Sequence, residues 1–317
     1  MNTILVPLDG SVRAEQILPY VRRLAPSLDA KLYLLQVVQE THEDEPFAIT
    51  IAETYQRGSG PTATQRERAW HSWEAQRRHA EGYLESQAVL LQVAGTRVDF
   101  AVRLGDPAEE ILTVAAEQRA TLIALATHGY SGLKRWTLGS VTDKVVHAAP
   151  MPVFIVRSDA QPPTGDVAFT RILVPLDGSP LARQALPLAA ELATRAQAEL
   201  TLIEAISPVL ESYPLPLGQP MTYYSVLLPA LRAKAADDLT RAAHALRQQG
   251  ISVKTLVEEG YPAELIVDAA RERQSDLILM ATHGYGGIRR WALGSVADKV
   301  LHAATTPLVL VRARPTN

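Results

Sequence analysis

Residues 126–157, ATHGYSGLKRWTLGSVTDKVVHAAPMPVFIVR, return as residues 281–312, ATHGYGGIRRWALGSVADKVLHAATTPLVLVR. Position by position, 21 of the 32 residues are identical at a constant offset of 155. An earlier stretch repeats as well: ILVPLDGS at 4–11 reappears at 172–179, at an offset of 168. The offsets differ by 13, which places an insertion in the first copy between its early and late motifs. The 317 residues therefore read as two copies of one domain, residues 1–157 and 171–313. The Pro/Gly/polar stretch 158–170 (SDAQPPTGDVAFT) is the linker between them.

Each copy alternates short apolar runs with longer amphipathic ones. In the first copy the runs at 3–8, 31–38, 97–103, 121–126 and 152–156 suit strands buried on both faces of a parallel sheet. Between them, Ser11 opens a helix reaching about Ser27, a charged helix covers 64–94, and Gly105-Asp106-Pro107 opens a third. The second copy follows the same plan, with Ser179-Pro180 at its first helix start. Segments 39–63 and 207–221, where the copies diverge, read as loops. The fold class is thus α/β: two tandem, doubly wound, open parallel sheets with five core strands each.

Bulk composition excludes several functions. A formal charge of −3 leaves no basic excess to neutralise phosphates, so nucleic acid is not an expected partner. The chain has no cysteine, which removes disulfides, thiolate catalysis and cysteine-held zinc. No apolar run approaches the ~20 residues of a membrane-spanning helix, and no signal-peptide pattern opens the sequence. A soluble cytoplasmic protein with no membrane partner is the expectation.

In an open α/β sheet, ligands bind at the carboxyl ends of the strands, where strand order reverses. Two motifs fall there in each copy. Pro7-Leu8-Asp9 follows the first strand, and Ala126 to Ser140 follows the fourth; their counterparts are Pro175-Leu176-Asp177 and Ala281 to Ser295. The later loop supplies Gly129 and Gly139, then Ser140 and Val141 at a helix start; the second copy has Gly284, Gly294, Ser295 and Val296. Glycines admit close backbone approach, and a helix N-terminus offers unpaired amides and the positive dipole end. Together they form a phosphate cradle.

These residues resemble the universal stress protein family over both halves. The ATP-binding branch carries G-x2-G-x9-G-[ST] after the fourth strand. Here the pattern reads Ala126-x2-Gly129-x9-Gly139-Ser140 and Ala281-x2-Gly284-x9-Gly294-Ser295, with alanine for the first glycine in both copies. The resemblance implies a fold of the adenine nucleotide alpha hydrolase type. It also implies an ATP-binding stress regulator with Mg²⁺ on the nucleotide and at most slow hydrolysis, not a dedicated enzyme. Pro7, Leu8 and Asp9 would border the adenosine, Val37 would meet the adenine, and Gly129, Gly139, Ser140 and Val141 would hold phosphates. The second site would use Pro175, Leu176, Asp177, Ala205, Gly284, Gly294, Ser295 and Val296. Val37 against Ala205 implies unequal affinities. In the family, single domains pair through their last strands, so the two halves are expected to form an internal pseudo-dimer through 152–156 and 307–311. Homo-oligomers of the whole chain are compatible with this.

Plainer readings stand beside these. Ser140-x-x-Asp143 and Ser295-x-x-Asp298 fit capping boxes. Asp9 and Asp177 fit simple Asp-Gly turns. His128 and His283 read as structural, and the 64–94 helix as a solvated face. No G-x4-G-K-[ST] and no G-x-S-x-G elbow is present. A nucleotide-independent interaction module of the same fold is the alternative. An adenylating enzyme ranks last, because Pro7-Leu8-Asp9-Gly10-Ser11 is not a pyrophosphate loop.

Overall fold

The computed structural model of the chain describes residues 2–39, 63–93, 95–127, 138–158, 167–207, 220–284 and 293–314. In the first half, β1 (Asn2–Pro7), β2 (Ala30–Val38), β3 (Val98–Leu104), β4 (Leu122–Thr127) and β5 (Val153–Arg157) alternate with helices. These are α1 (Val12–Glu15), α2 (Leu18–Ser27), α3 (Ala63–Val93), α4 (Pro107–Glu117) and α5 (Ser140–Ala148). The second half repeats the plan with β6 (Arg171–Leu176), α6 (Leu186–Ala196), β7 (Glu199–Ile206), α7 (Pro220–Arg247) and β8 (Val253–Glu259). It ends with α8 (Pro262–Glu272), β9 (Leu277–Ala281), α9 (Ser295–Ala303) and β10 (Leu308–Val311).

The strands form one sheet in the order β3-β2-β1-β4-β5-β10-β9-β6-β7-β8. Within each half every pairing is parallel, as βαβ connections require. The halves meet antiparallel, with Phe154 of β5 opposite Val309 of β10. The expected pairing of last strands is therefore present. Strand order reverses between β1 and β4, and again between β6 and β9, which fixes the two crevices.

The helices differ from the sequence reading at one recurring point. Ser11 does cap, its hydroxyl accepting from the Ala14 amide at 3.1 Å, but α1 stops at Glu15 and α2 restarts at Leu18. Pro19 explains this. It has no N–H for a bond back to residue 15, and its ring crowds the preceding turn. The second copy does the same: Ser179 accepts from Ala182, a short 3₁₀ turn (Ala182–Ala185) follows, and α6 begins beside Pro187. A continuous helix from 11 to 27 is corrected to two pieces.

Alternation along the strands sends Ile4 and Val6 into one apolar layer and Leu5 into the other. Both layers run across the β5–β10 seam into the second half. Phe154, fully buried, sits at the seam, edge-on to Tyr20 of α2 at 6.1 Å and to Phe169, just ahead of β6, at 6.2 Å. Arginines tie the seam reciprocally. Arg157 donates to the Ala304 carbonyl after α9 at 3.2 Å, and Arg312 to the His147 carbonyl in α5 at 2.8 Å. Each guanidinium thus meets the negative end of a helix in the other half. Phe154→Ala is expected to destabilise the chain by about 3–5 kcal/mol in urea unfolding, whereas Phe100→Ala, at an exposed position, should cost well under about 1 kcal/mol.

Candidate functional site

A cavity of about 710 Å³ opens at the carboxyl ends of β1, β2 and β4, at the first reversal of strand order. Pro7, Leu8, Asp9, Val37, Ala126 and Val141, all singled out in the sequence, line it. Gly139 caps α5 and Ser140 is its first residue. Gly129 lies outside the described residues, as do His128 and Lys134-Arg135.

The turn out of β1 is set by its own chemistry. Asp9 Oδ1 accepts from the Ser11 amide at 2.9 Å, and Gly10 takes φ +82°, a left-handed value that glycine adopts without strain. Asp177, Ser179 and Gly178 repeat this, with the same 2.9 Å bond and φ +80°. The Asp-Gly turn reading therefore holds for one carboxylate oxygen. The other oxygen of Asp177 faces the later loop: a Cβ on Gly284 would lie 1.8 Å from Asp177 Oδ2. Glycine at 284 is what admits the carboxylate.

The helix starts differ from the capping-box reading. Gly139 and Gly294, not the serines, are the N-caps, and no side chain caps either helix. Both Ser140 and Ser295 are exposed. Neither glycine has a left-handed φ; Gly294 is small for want of room, since a Cβ there would meet the Thr282 carbonyl oxygen at 2.8 Å. Its own N–H donates to that carbonyl at 2.9 Å, pinning the helix start to the end of β9. The first intrahelical bonds run from Asp143 to Gly139 and from Asp298 to Gly294, each 2.9 Å. Amides at 140–142 and 295–297 precede them and have no helical acceptor. Val296 sits in this first turn; Pro175 and Leu176 end β6, Ala205 lies near the end of β7, and Ala281 ends β9.

His283, His147 and His302 make local contacts. His283 is buried with Nδ1 3.0 Å from Thr282 Oγ1. His147 and His302 donate to the Asp143 and Asp298 carbonyls at 2.8 Å.

Sequence reasoning missed part of the wall. Ala75, Gln76, His79 and Ala80 of α3 line the cavity, so the helix read as a solvated face is also a wall of the site. Gln36 lines it too. The available signal was a polar residue inside an otherwise apolar strand: Gln36 in KLYLLQVV and, at the matching place, Glu204 in ELTLIEAI.

Electrostatics separate the halves. Burial pushes the Glu204 carboxyl up to about 7, with Asp238 and then Asp177 adding to the rise, against the pull of Lys234 and Arg183. Asp238 is buried and pairs with Arg183 at 3.4 Å and with Arg241. At the offsets of the repeat, Gln36, His79, Tyr83 and Glu15 occupy the places of Glu204, Lys234, Asp238 and Arg183. Burial and neighbouring Glu15 hold the Tyr83 hydroxyl well above the ordinary phenol range.

The fold and its switch-point crevice define a tandem, doubly wound α/β protein. A model described as the universal stress protein family matches residues 1–157 and 168–312. The chain belongs to this family. Over 316 residues it is 27% identical to a universal stress protein of Mycolicibacterium smegmatis, across 98% of this chain and 97% of that one. Over 206 residues it is 31% identical to a universal stress protein of Mycobacterium tuberculosis, 63% of this chain and 64% of the other. A crystal structure of a universal stress protein from Archaeoglobus fulgidus superposes with a TM-score of 0.67 at 22% identity, covering 98% of each chain. At that identity the likeness is one of fold. Among the described residues, no helix is long and apolar enough to cross a membrane.

Glu204 also bears on stability. Its folded value of about 7 exceeds the ordinary 4.5, so folding takes up a proton between those limits. The native chain pays no charge penalty below about 4.5, and the full penalty above about 7. Solvent around a partly exposed carboxyl keeps the effect small. Glu204→Gln should raise Tm by about 2–4 °C at alkaline pH, and the gain should disappear in acid, as read by thermal unfolding across pH.

Proposed function

We propose that the chain is a nucleotide-binding stress regulator that takes ATP, with Mg²⁺ on its phosphates, in one crevice per half. The observation that carries this reading is the first-half cavity, where Pro7, Leu8, Asp9, Val37, Ala126 and Val141 converge on the glycine-capped start of α5. About 710 Å³ suits a ligand of nucleotide size. Its apolar side, Val37, Leu8 and Ala126, would receive the adenosine. The amides at 140–142, held at the positive end of α5, would receive the phosphates. The space denied to a side chain at Gly294 fits the same role for the second half.

Among the described residues no group of three or more His, Asp or Glu side chains is arranged to hold a metal ion. Mg²⁺ would therefore arrive on the phosphates, where it neutralises charge. In this reading Asp9 and Asp177, each fixed by its turn, orient the ligand's polar edge. No residue of the chain is assigned to activating water, and the proposal is of a binding protein with at most slow ATP hydrolysis. The expectation of a cytoplasmic location stays with this reading.

Isothermal titration of the whole chain with MgATP tests it, alongside Gly139→Asp and Gly294→Asp checked for native circular dichroism. Two sites are expected in the wild type, with about tenfold or greater loss at one site in each variant. A folded chain, free of carried-over nucleotide, that gives no binding heat would defeat the nucleotide reading and favour the interaction module.

A further inference from the structure

The two halves come from one repeat, yet they differ at a position that lines the cavity in the first half. Gln36 of β2 and Glu204 of β7 stand at equivalent places, 168 residues apart. In each, one acceptor oxygen, Gln36 Oε1 and Glu204 Oε2, is closed off from solvent and has no hydrogen-bond partner among the described residues. A buried acceptor without a donor is costly, and native structures rarely leave one unmet. The same unmet acceptor at the same place in both copies points to a donor supplied from outside the chain. Gln36 lies in the cavity wall, where a turn of its side chain would bring that oxygen to a ligand in the crevice.

The surroundings of the two groups are not alike. Glu204 is faced by Asp177 from the end of β6, by Asp238 and Lys234 from α7, and by Arg183 from the 3₁₀ turn. Arg183 and Arg241 are already engaged with Asp238. An ionised Glu204 would therefore make a third carboxylate in a place that must also accept a polyanion. A protonated carboxyl, in contrast, has the shape of an amide and pairs one O–H donor with one acceptor, as Gln36 pairs its NH₂ and carbonyl.

We propose that residues 36 and 204 are ligand-contacting positions that make the two sites unequal, Gln36 taking nucleotide irrespective of pH and Glu204 taking it together with a proton. The second site then fills preferentially as the medium acidifies, while the first stays constant. This deepens the nucleotide reading and rests on it. The carboxyl's position at about 7 in the free chain puts the transition near neutrality. A bound polyanion would raise it further, so affinity is highest below that value and falls with a limiting slope of about tenfold per pH unit above it.

The test is MgATP titration of the full chain at about pH 6 and about pH 8, with Glu204→Gln and Gln36→Glu, both close in shape to the native residues. ATP's own titration is common to all samples, so the differences between variants are the readout. In the wild type one site should weaken about tenfold from the acid to the alkaline condition relative to the other, with up to one proton taken up on binding. Glu204→Gln should abolish that difference, and Gln36→Glu should impose it on the first site. Two wild-type sites with equal pH dependence, or a dependence that survives Glu204→Gln, overturns the inference and leaves nucleotide binding intact. A wild-type chain with no heat at either pH overturns both.

Discussion

Strand β5 cannot be left at the edge of a sheet. All five of its residues, Val153 to Arg157, are buried, and an exposed edge of that composition would pair with any strand it met. The antiparallel contact with β10 meets this need within the chain. Parallel pairing is excluded by the symmetry: two copies of one domain meeting through the same strand do so about a two-fold axis, which runs the strands in opposite directions. The reciprocal arginines follow from the same axis, as Arg157 and Arg312 each reach a helix end in the other half. Both apolar layers continue through the seam because the strands that define them are hydrogen-bonded across it.

Much of this was legible in the sequence, for physical reasons that can be named. Strands buried on both faces appear as unbroken apolar runs, and the repeat doubled every signal, so the elements could be read directly, while the last-strand pairing came from the family resemblance. The insertion site and the Asp-Gly turns were equally plain, whereas the capping-box pattern pointed to the serines and hid that glycines cap both helices. The helix breaks at Pro19 and Pro187 were present in the letters but outweighed by the capping serines ahead of them. The wall formed by Gln76 and His79 was hidden for a different reason. Polar residues on a long charged helix look the same whether they face solvent or a water-filled crevice, and only packing against the sheet distinguishes the two. Gln36 stands out as a polar residue in an apolar strand, but the resemblance points only to its neighbour Val37.

Duplication explains why the halves can differ where they do. The apolar layers are repeated closely, since each side chain there is fitted to the buried neighbours around it. The polar layer over the carboxyl ends is not. Tyr83 beside Glu15 in one copy becomes Asp238 beside Arg183 in the other, a change of both members of the contact together. An isolated Tyr83→Asp would leave two carboxylates side by side, whereas the joint exchange replaces a neutral phenol and a carboxylate with an ion pair. The two crevices therefore share a frame and differ in electrostatic character.

The seam has a further consequence, for the number of sites instead of their chemistry. A pair of separate subunits joined through edge strands would come apart on dilution, and the occupancy of one site would then depend on how much of the partner was present. Here the β5–β10 contact is intramolecular, so its strength is set by the linker's effective concentration and not by abundance. Two unlike crevices are thereby held at a ratio of one to one at any expression level. Each chain is a complete counting unit, and a cell that makes very few copies still obtains both halves in every one.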